Sequence, residues 1–233
     1  MNKLILGNNI DILPTLGNNS VDLCITSPPY KDEDGYSVLQ LRTCFDMLYN
    51  VLKDDSLFFL NFGHLASNKF RPFSTCELAL AAGFKLNDTI IWIKNHYKPI
   101  QGHKRLNNLT EFIFVLYKGK MPKLNRLSIG VPYKDKSNVK RFSGGNDLKC
   151  GGNVWYINYP TINKTDQKLH HDRYPVELPE KCIRLCGYNV ETVLDPFCGS
   201  GTTCVAAKKL GKKYIGIEIN SIYYDAAKSR LEQ

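Results

Sequence analysis

The sequence lacks a C-x-x-C pair, a run of about 18 consecutive apolar residues, and a phosphate-loop G-x-x-x-x-G-K-[ST] motif. Each absence closes a class. Eight cysteines are present, but only Cys182 and Cys186 lie close together, one helical turn apart, and two ligands make a poor zinc site. Reduced core thiols are the expectation. His64, His96 and His103 are expected as solvent-exposed or backbone-paired side chains rather than metal ligands or general bases, and no metal is expected. Without a long apolar run nothing is expected to span a membrane. The opening stretch MNKLILGNNIDIL places Asn, Gly and Asp11 where a secretory leader needs unbroken apolar residues, so the expected location is cytoplasmic. There is no internal repeat and no low-complexity tract.

Acidic residues are scarce in one segment. The formal net charge is +9. From Lys94 to Lys149 there are 13 Lys/Arg against Glu111, Asp135 and Asp147, whereas the rest of the chain has 18 basic and 19 acidic residues. One continuous block therefore carries the whole excess. That asymmetry points to a polyanionic partner. Lys94, Lys98, Lys104, Arg105, Lys136, Lys140 and Arg141 are its candidate phosphate contacts.

With 233 residues, 43% of them hydrophobic, the chain suits one large domain with an insertion. Apolar periodicity predicts strands at Lys3–Leu6, Val21–Ile25, Ser56–Asn61, Thr89–Ile93, Glu111–Tyr117, Thr192–Leu194 and Tyr214–Glu218. It predicts helices at Leu39–Leu52, Phe70–Ala82, Leu178–Cys186, Thr202–Leu210 and Ile222–Leu231, with a short helix or turn at Ile10–Leu16. Strands alternate with helices at both ends of the chain. The fold class is α/β, a mostly parallel sheet with helices on both faces. Periodicity fades between 120 and 153, which reads as a small basic recognition insertion. The division is then 1–119, 120–153 and 154–233, the first and last forming one domain.

Two stretches carry chemistry. In CITSPPYKDEDGY an apolar strand stops at Pro28 and Pro29, which cannot donate to a sheet and which fix the neighbouring carbonyls. The result is a rigid edge bearing the Ser27 hydroxyl, backbone oxygens and the Tyr30 ring. In open α/β sheets that edge is where ligands bind. In VLDPFCGSGTT a strand ends at Asp195, a turn with Gly199 and Gly201 follows, and a helix opens at Thr202. The helix start presents free N–H groups, and the full G-x-G-x-x-G is absent. Glu218 ends the next strand 23 residues after Asp195, where an acid can bind ribose hydroxyls. The pattern asks for a ligand with a ribose, an ammonium group and little phosphate. S-adenosylmethionine meets all three requirements.

TSPPY followed by DPFCGSGTT resembles the S-adenosylmethionine-dependent DNA amino-methyltransferases, in the β-type, circularly permuted order. SLFFLNFG, IIWIKN, EFIFVLYKGK and GNVWYI resemble further blocks of that family, so the likeness covers nearly the whole chain. HHDRYPVELP resembles its His-Pro-x-x-Phe-Pro block, matching at His170, Tyr174 and Pro175 and departing at His171. Where the family often has Gly-Asp, with the acid facing the adenine, this sequence has Gly7-Asn8. The resemblance implies a Rossmann-like methyltransferase fold. It implies a cofactor site formed by Asn8, Thr26, His170, Tyr174, Pro175, Asp195, Pro196, Phe197, Cys198, Gly199, Ser200, Gly201, Thr202 and Glu218, with S-adenosylhomocysteine as product. It implies a catalytic site of Ser27, Pro28, Pro29 and Tyr30.

The implied substrate is an exocyclic amine in double-stranded DNA, reached by base flipping. Ser at the first motif position resembles the cytosine-N4 branch of restriction–modification systems, with adenine N6 as the alternative. Implied partners are DNA, a second copy of the chain, and a cognate endonuclease or second methyltransferase. Rival readings are methylation of RNA or a small molecule, a catalytically inactive DNA-binding relic, and a structural subunit of a restriction complex. Trp92 and Trp155 are expected in the core. Phe197 packs on the cofactor or against the sheet. The Asp32-Glu33-Asp34 run is a solvated loop or a lid hinged at Gly35.

Overall fold

The computed structural model describes residues 2–29, 37–65, 67–96, 104, 106–140, 145–159 and 173–233. Among the described residues ten strands form: β1 Lys3–Leu6, β2 Val21–Thr26, β3 Leu52–Gly63, β4 Lys85–Ile93, β5 Thr110–Tyr117, β6 Val131–Pro132, β7 Leu148–Lys149, β8 Val154–Tyr156, β9 Thr192–Asp195 and β10 Lys213–Glu218. The α-helices described are α1 Asn9–Ile12, α2 Val38–Val51, α3 Arg71–Ala81, α4 Glu177–Leu185, α5 Thr202–Lys209 and α6 Ser221–Glu232. Eight strands make one sheet in the order β1-β10-β9-β2-β3-β5-β4-β8. All neighbours run parallel except on the two sides of β5, which is therefore the one reversed strand.

Local sequence explains the elements. Ser37 and Gln40 form a reciprocal capping box that starts α2, the Ser37 N–H donating to Gln40 Oε1 at 2.8 Å and the Gln40 N–H to Ser37 Oγ at 3.2 Å. Leu41, Cys44, Phe45, Leu48 and Val51 then line one buried stripe of that helix. The helix passes into β3 without a loop, because Leu52 is at once its C-cap and the first strand residue. Strand alternation sorts the core into two layers. Leu23, Ile25, Leu57, Phe59, Ile113, Val115 and Val193 face one layer with residues of α4, α5 and α6. Cys24, Phe58, Leu60, Phe114, Leu116 and Leu194 face the other with α2 and α3. Both faces are covered, as a mostly parallel sheet requires. Trp92 is fully buried and donates its indole N–H to the Ile157 carbonyl at 2.9 Å. Trp155 is buried too.

Seven cysteines are buried as free thiols and Cys150 is exposed. Burial pushes the Cys44 thiol above its ordinary range and the Cys76 thiol to about 12. Among the described residues no helix is long and apolar enough to cross a membrane, and no cluster of His, Cys, Asp and Glu could hold a metal.

The basic segment after β5 holds β6 and β7, paired as a ribbon, and leads into the edge strand β8; the sequence predicts none of the three. Its first part docks low on the molecule. The Asn125 N–H donates to the Leu185 carbonyl at 2.8 Å, the Gly187 N–H to the Lys123 carbonyl at 3.0 Å, and the Ser128 hydroxyl to the Arg184 carbonyl. Leu185 ends α4 near the start of β2, since Tyr188, just beyond it, donates its hydroxyl to the Asp22 carbonyl at 2.9 Å. Residues 123–128 thus sit at the amino edge of the sheet. Ser27 lies at the opposite, carboxyl edge.

Candidate active site

The strand order contains one switch point. From β9 the chain crosses through α5 to β10 on one side, and from β2 it crosses through α2 to β3 on the other. Neighbouring strands whose crossovers diverge leave a crevice outside their carboxyl ends. The β9/β2 boundary is that crevice, and the proline and glycine stretches end on its two lips.

Asp195 lies at its centre and is 1% exposed. Its Oδ1 accepts from Thr26 Oγ1 at 2.6 Å and from the Phe197 N–H at 3.1 Å, and its Oδ2 accepts from Tyr174 Oη at 3.2 Å. The Tyr174 hydroxyl also shares a hydrogen bond with Thr203 Oγ1, which reaches the Ile25 carbonyl. Burial raises the Asp195 pKa, and the hydrogen bonds from Thr26, Thr203, Phe197 and Tyr174 offset part of that rise. Burial likewise raises the Tyr174 hydroxyl. Asp195 ends its strand just before the glycine turn, where a carboxylate suits a ligand amine better than a phosphate. The structure turns its carboxylate inward as the hub joining β2, β9, α5 and the 174–175 segment.

Glu218 closes β10. Its Oε2 accepts from the Gly199 N–H at 2.7 Å and its Oε1 from the Asn220 N–H at 2.8 Å. Burial raises its pKa, countered by those two backbone donors. Each carboxylate oxygen has a second lone pair, so the group retains capacity for hydroxyl donors. Leu6, Ile219 and Ile222 expose apolar side chains near it, Leu6 being its register partner on β1. Asn8 uses Oδ1 to cap α1 through the Ile10 N–H at 3.2 Å, and the Asn9 amide donates to the Pro196 carbonyl at 3.0 Å.

The glycine turn is held from behind. Gly201 has φ +77°, and a Cβ there would stand 2.9 Å from Ala227 Cβ of α6, so the close approach needs glycine. Arg230 of the same helix donates from Nη1 to the Ser200 carbonyl at 2.6 Å, to Ser200 Oγ at 3.2 Å and to Thr202 Oγ1 at 3.1 Å. Cys198 is buried, its N–H donating to the Ile217 carbonyl at 3.0 Å. Phe197 packs against the layer formed with α2 and α3. The Pro175 carbonyl accepts from the Leu178 N–H at 3.0 Å in the turn that opens α4.

The structure thus brings Asn8, Thr26, Ser27, Pro28, Pro29, Tyr174, Pro175, the 195–202 stretch and Glu218 to one edge. Tyr30, His170 and the Asp32-Glu33-Asp34 run lie outside the described residues, as do Lys98, Arg105 and Arg141. Lys94 is paired with Glu111 at 2.8 Å and stands 5.7 Å from the Trp92 ring centroid. Lys104 and Lys140 are exposed, and Lys136 pairs with Asp147. Sequence reasoning missed Thr203, Asn9 and Arg230. The doubled threonine of GSGTT was a signal for Thr203; nothing local marked Arg230, which reaches the turn from the last helix.

The comparisons with known proteins agree with this geometry. The family described as DNA methylase, an N6/N4 methyltransferase family, matches residues 21–229. The type II methyltransferase M1.MboII of Moraxella bovis is 28% identical over 260 residues, spanning 100% of this chain and 97% of that protein. The orphan methyltransferase M.BamHII of Bacillus amyloliquefaciens is 31% identical, spanning 93% of this chain and 91% of its own length. Among solved structures, the PvuII DNA methyltransferase (cytosine-N4-specific) superposes with a TM-score of 0.76 at 21% identity, covering 98% of this chain and 86% of that one. M1.HpyAVI in its complex with SAM gives 0.69 at 26% identity and covers 100% of both. A family match over most of the chain, meeting a switch-point crevice that carries both motifs, makes this chain a member of the DNA methylase family of N6/N4 methyltransferases.

Proposed function

We propose that the chain transfers a methyl group from S-adenosylmethionine to the exocyclic N4 amine of cytosine in double-stranded DNA, within a restriction–modification system. The observation that carries this reading is the placement of Ser27-Pro28-Pro29 at the switch point, tied to the glycine turn by the hydrogen bond from Thr26 to Asp195. The residues fit the cofactor. Glu218 can take ribose hydroxyls, Leu6 and Ile219 offer an apolar shelf beside it for a heteroaromatic ring, and Gly199 and Gly201 let the backbone come close. M1.HpyAVI, of the same fold, was solved with SAM bound. When bound, the cofactor supplies an electrophilic methyl group on sulfonium.

The chain's residues do the rest. An exocyclic amine is a poor nucleophile because its lone pair is delocalised into the ring. The Ser27 hydroxyl oxygen and the Pro28 carbonyl accept its two hydrogens and favour the tetrahedral geometry needed for attack. The prolines keep these acceptors from reorganising, which matters most in a site closed to water. Holding amine and methyl in line lowers the barrier further. The base must leave the duplex to reach this edge, and Tyr30 is assigned to stack on it. Thr26, Tyr174, Asp195 and Thr203 act behind the reacting groups, fixing the two lips relative to each other.

The division into 1–119, 120–153 and 154–233 is kept as one catalytic domain with a basic insertion. Lys136 and Lys140 of the insertion are exposed and are assigned to phosphate contacts along DNA, the insertion also supplying part of target recognition. Serine at position 27 favours cytosine N4, and the PvuII enzyme of the same fold is described as cytosine-N4-specific; adenine N6 is the alternative. Incubating plasmid DNA with the purified chain and labelled cofactor, then digesting to nucleosides, tests the proposal by mass. N4-methylcytosine is expected. N6-methyladenine would move the chain to the other branch, and unmodified DNA would refute the activity.

A further inference from the structure

Aromatic side chains collect at the start of α3, and the mechanism above does not use them. Phe70, the N-cap of α3, is 59% exposed, and Phe73, within the first turn, is 37% exposed. Their ring centroids stand 5.6 Å apart, and Phe73 lies 5.0 Å from Phe112 and 6.1 Å from Phe114 of β5. The two β5 rings stack in turn at 6.0 Å. The Phe70 N–H donates to Asn68 Oδ1 at 3.0 Å, and the Phe70 carbonyl accepts from the Phe73 and Ser74 N–H groups, both at 3.0 Å. The backbone of Phe70 is thus fixed and its ring is backed by Phe73, which leaves an aromatic surface presented to solvent.

The topology puts this aromatic step at the edge that holds Ser27. β3 ends at Gly63, α3 begins at Arg71, and β4 starts at Lys85 in the same direction as β3, so α3 opens at the carboxyl edge of the sheet. The pairing of β2 with β3 sets Thr26 beside Leu60. Carried two residues further, that register sets Pro28 level with Phe62, whose partner on β5 is Phe112. The foot of the step is therefore level with Pro28 and two strand spacings away, about 10 Å. The major groove alone is about 12 Å wide, so a duplex that delivers a base to Ser27 extends over the step. The surroundings are positive. Lys69 is exposed beside Phe70, α3 has no acidic residue in its first turn, and the helix start carries the positive end of its dipole. In a symmetric pair of chains this patch would meet itself, setting Lys69 and the two helix ends against their like. Against DNA they meet phosphate.

We propose that Phe70, backed by Phe73, is a wedge that stacks on the base left unpaired in the duplex when the target base swings out. The inference rests on the base-flipping reading and deepens it by naming the surface that steadies the opened duplex. Flipping costs the stacking and pairing of the target base. An apolar side chain that enters a base step offsets part of that cost, and an aromatic ring does so for any base, since every base has a π-face. Lys69 and the start of α3 take the neighbouring phosphate. The two aromatics then have separate tasks: Tyr30 is assigned to the flipped base, and Phe70 to the gap it leaves.

The experiment varies the protein and the duplex together. Equilibrium DNA binding with S-adenosylhomocysteine present, and single-turnover methylation, are measured for the native chain, Phe70→Ala, Phe70→Trp and Leu80→Ala. Leu80 is an exposed apolar residue farther along the same helix and serves as the control. Each protein meets two duplexes carrying the methylated site, one fully paired and one with an abasic site opposite the target, which leaves no base for the wedge to stack on. Phe70→Ala should lose about 5- to 150-fold in affinity and rate on the paired duplex, the scale of one lost stack, and little on the abasic one. Phe70→Trp and Leu80→Ala should stay near native on both. Melting temperature and cofactor affinity of Phe70→Ala should be native, because the ring is exposed. A native affinity and rate for Phe70→Ala on paired DNA overturns the inference, and so does an equal loss on both duplexes. Sedimentation without DNA that shows a native dimer and a Phe70→Ala monomer would give the step to a contact between copies and overturn it as well. Methylation itself is judged by the nucleoside that the native chain makes. If that assay finds none, binding to duplexes with and without a central abasic site still decides the inference.

Discussion

Replacing Asp195 by alanine separates a structural hub from a ligand contact. The native carboxylate satisfies Thr26 Oγ1, the Phe197 N–H and Tyr174 Oη, all in a buried site. A buried donor left without a partner costs about 1–3 kcal/mol. The Phe197 amide is fixed and takes the full penalty, while the Thr26 and Tyr174 hydroxyls can rotate toward other acceptors. A loss of about 3 kcal/mol is the resulting figure, or roughly 6–12 °C in melting temperature for a chain of this size. The loss should appear without cofactor. Its pH dependence has a fixed sign. Burial raises the folded pKa of Asp195, so its contribution is fully present below the unfolded carboxyl value of about 3.9. That contribution is lost as pH rises through the folded value. The deficit of Asp195→Ala should therefore be largest at the acidic end of the stable range and shrink toward neutral pH, while Asp195→Asn, which cannot titrate, should show a flatter profile than the native chain. Melting curves of the three proteins across that range provide the assay. Cofactor affinity falls under either view, so it does not discriminate. An Asp195→Ala protein with native melting temperature at acidic pH would show that the carboxylate serves the ligand alone.

Ser27→Ala should lower the single-turnover methylation rate by about 10- to 1000-fold, the scale of losing one preorganised polar group, while DNA affinity stays near native; equal losses in rate and affinity would contradict its assigned role. Gly201→Ala forces a left-handed backbone onto a residue with a Cβ and presses it against Ala227, so calorimetry should show weaker cofactor binding together with a lower melting temperature. Arg230→Ala releases the back of the glycine turn; the dissociation constant for S-adenosylmethionine should rise about tenfold, with Arg230→Lys recovering part of the loss. Lys136→Glu with Lys140→Glu should weaken binding to DNA of any sequence and reduce its salt dependence, leaving cofactor affinity unchanged; unaltered binding at all salt concentrations would make the insertion a solvated flank.

Most of the fold was legible because both faces of the sheet are buried and its helices are amphipathic. The Val21–Ile25 run and the periodic apolar stripe of α2 mark their elements within a residue or two. The exceptions have physical causes. β3 starts at Leu52, earlier than Ser56, because the polar Lys53-Asp54-Asp55 stretch follows the backbone without carrying the pattern. β6, β7 and β8 are two or three residues each, too short for any period to emerge. β6 pairs with β7 and β8 with β4, contacts that no local window contains.

The candidate site was legible as two motifs, but not as one object. Thr26 and Asp195 stand 169 positions apart in sequence and 2.6 Å apart in space, on strands that pair side by side. The order of the motifs along the chain is therefore immaterial to the site; what matters is that β9 and β2 adjoin while their crossovers diverge. The inward turn of Asp195 follows from the same adjacency, since a carboxylate between two strand ends meets donors from both before it meets solvent. Lys94 shows what a charge count leaves out. Counting charge along the chain assigned it to phosphate, and the count cannot see that the reversed strand β5 returns Glu111 to the same edge. A basic residue at a strand's carboxyl end beside an acid at the start of its antiparallel neighbour is a pattern of register, and register becomes readable only once the pairing of β4 with β5 is known.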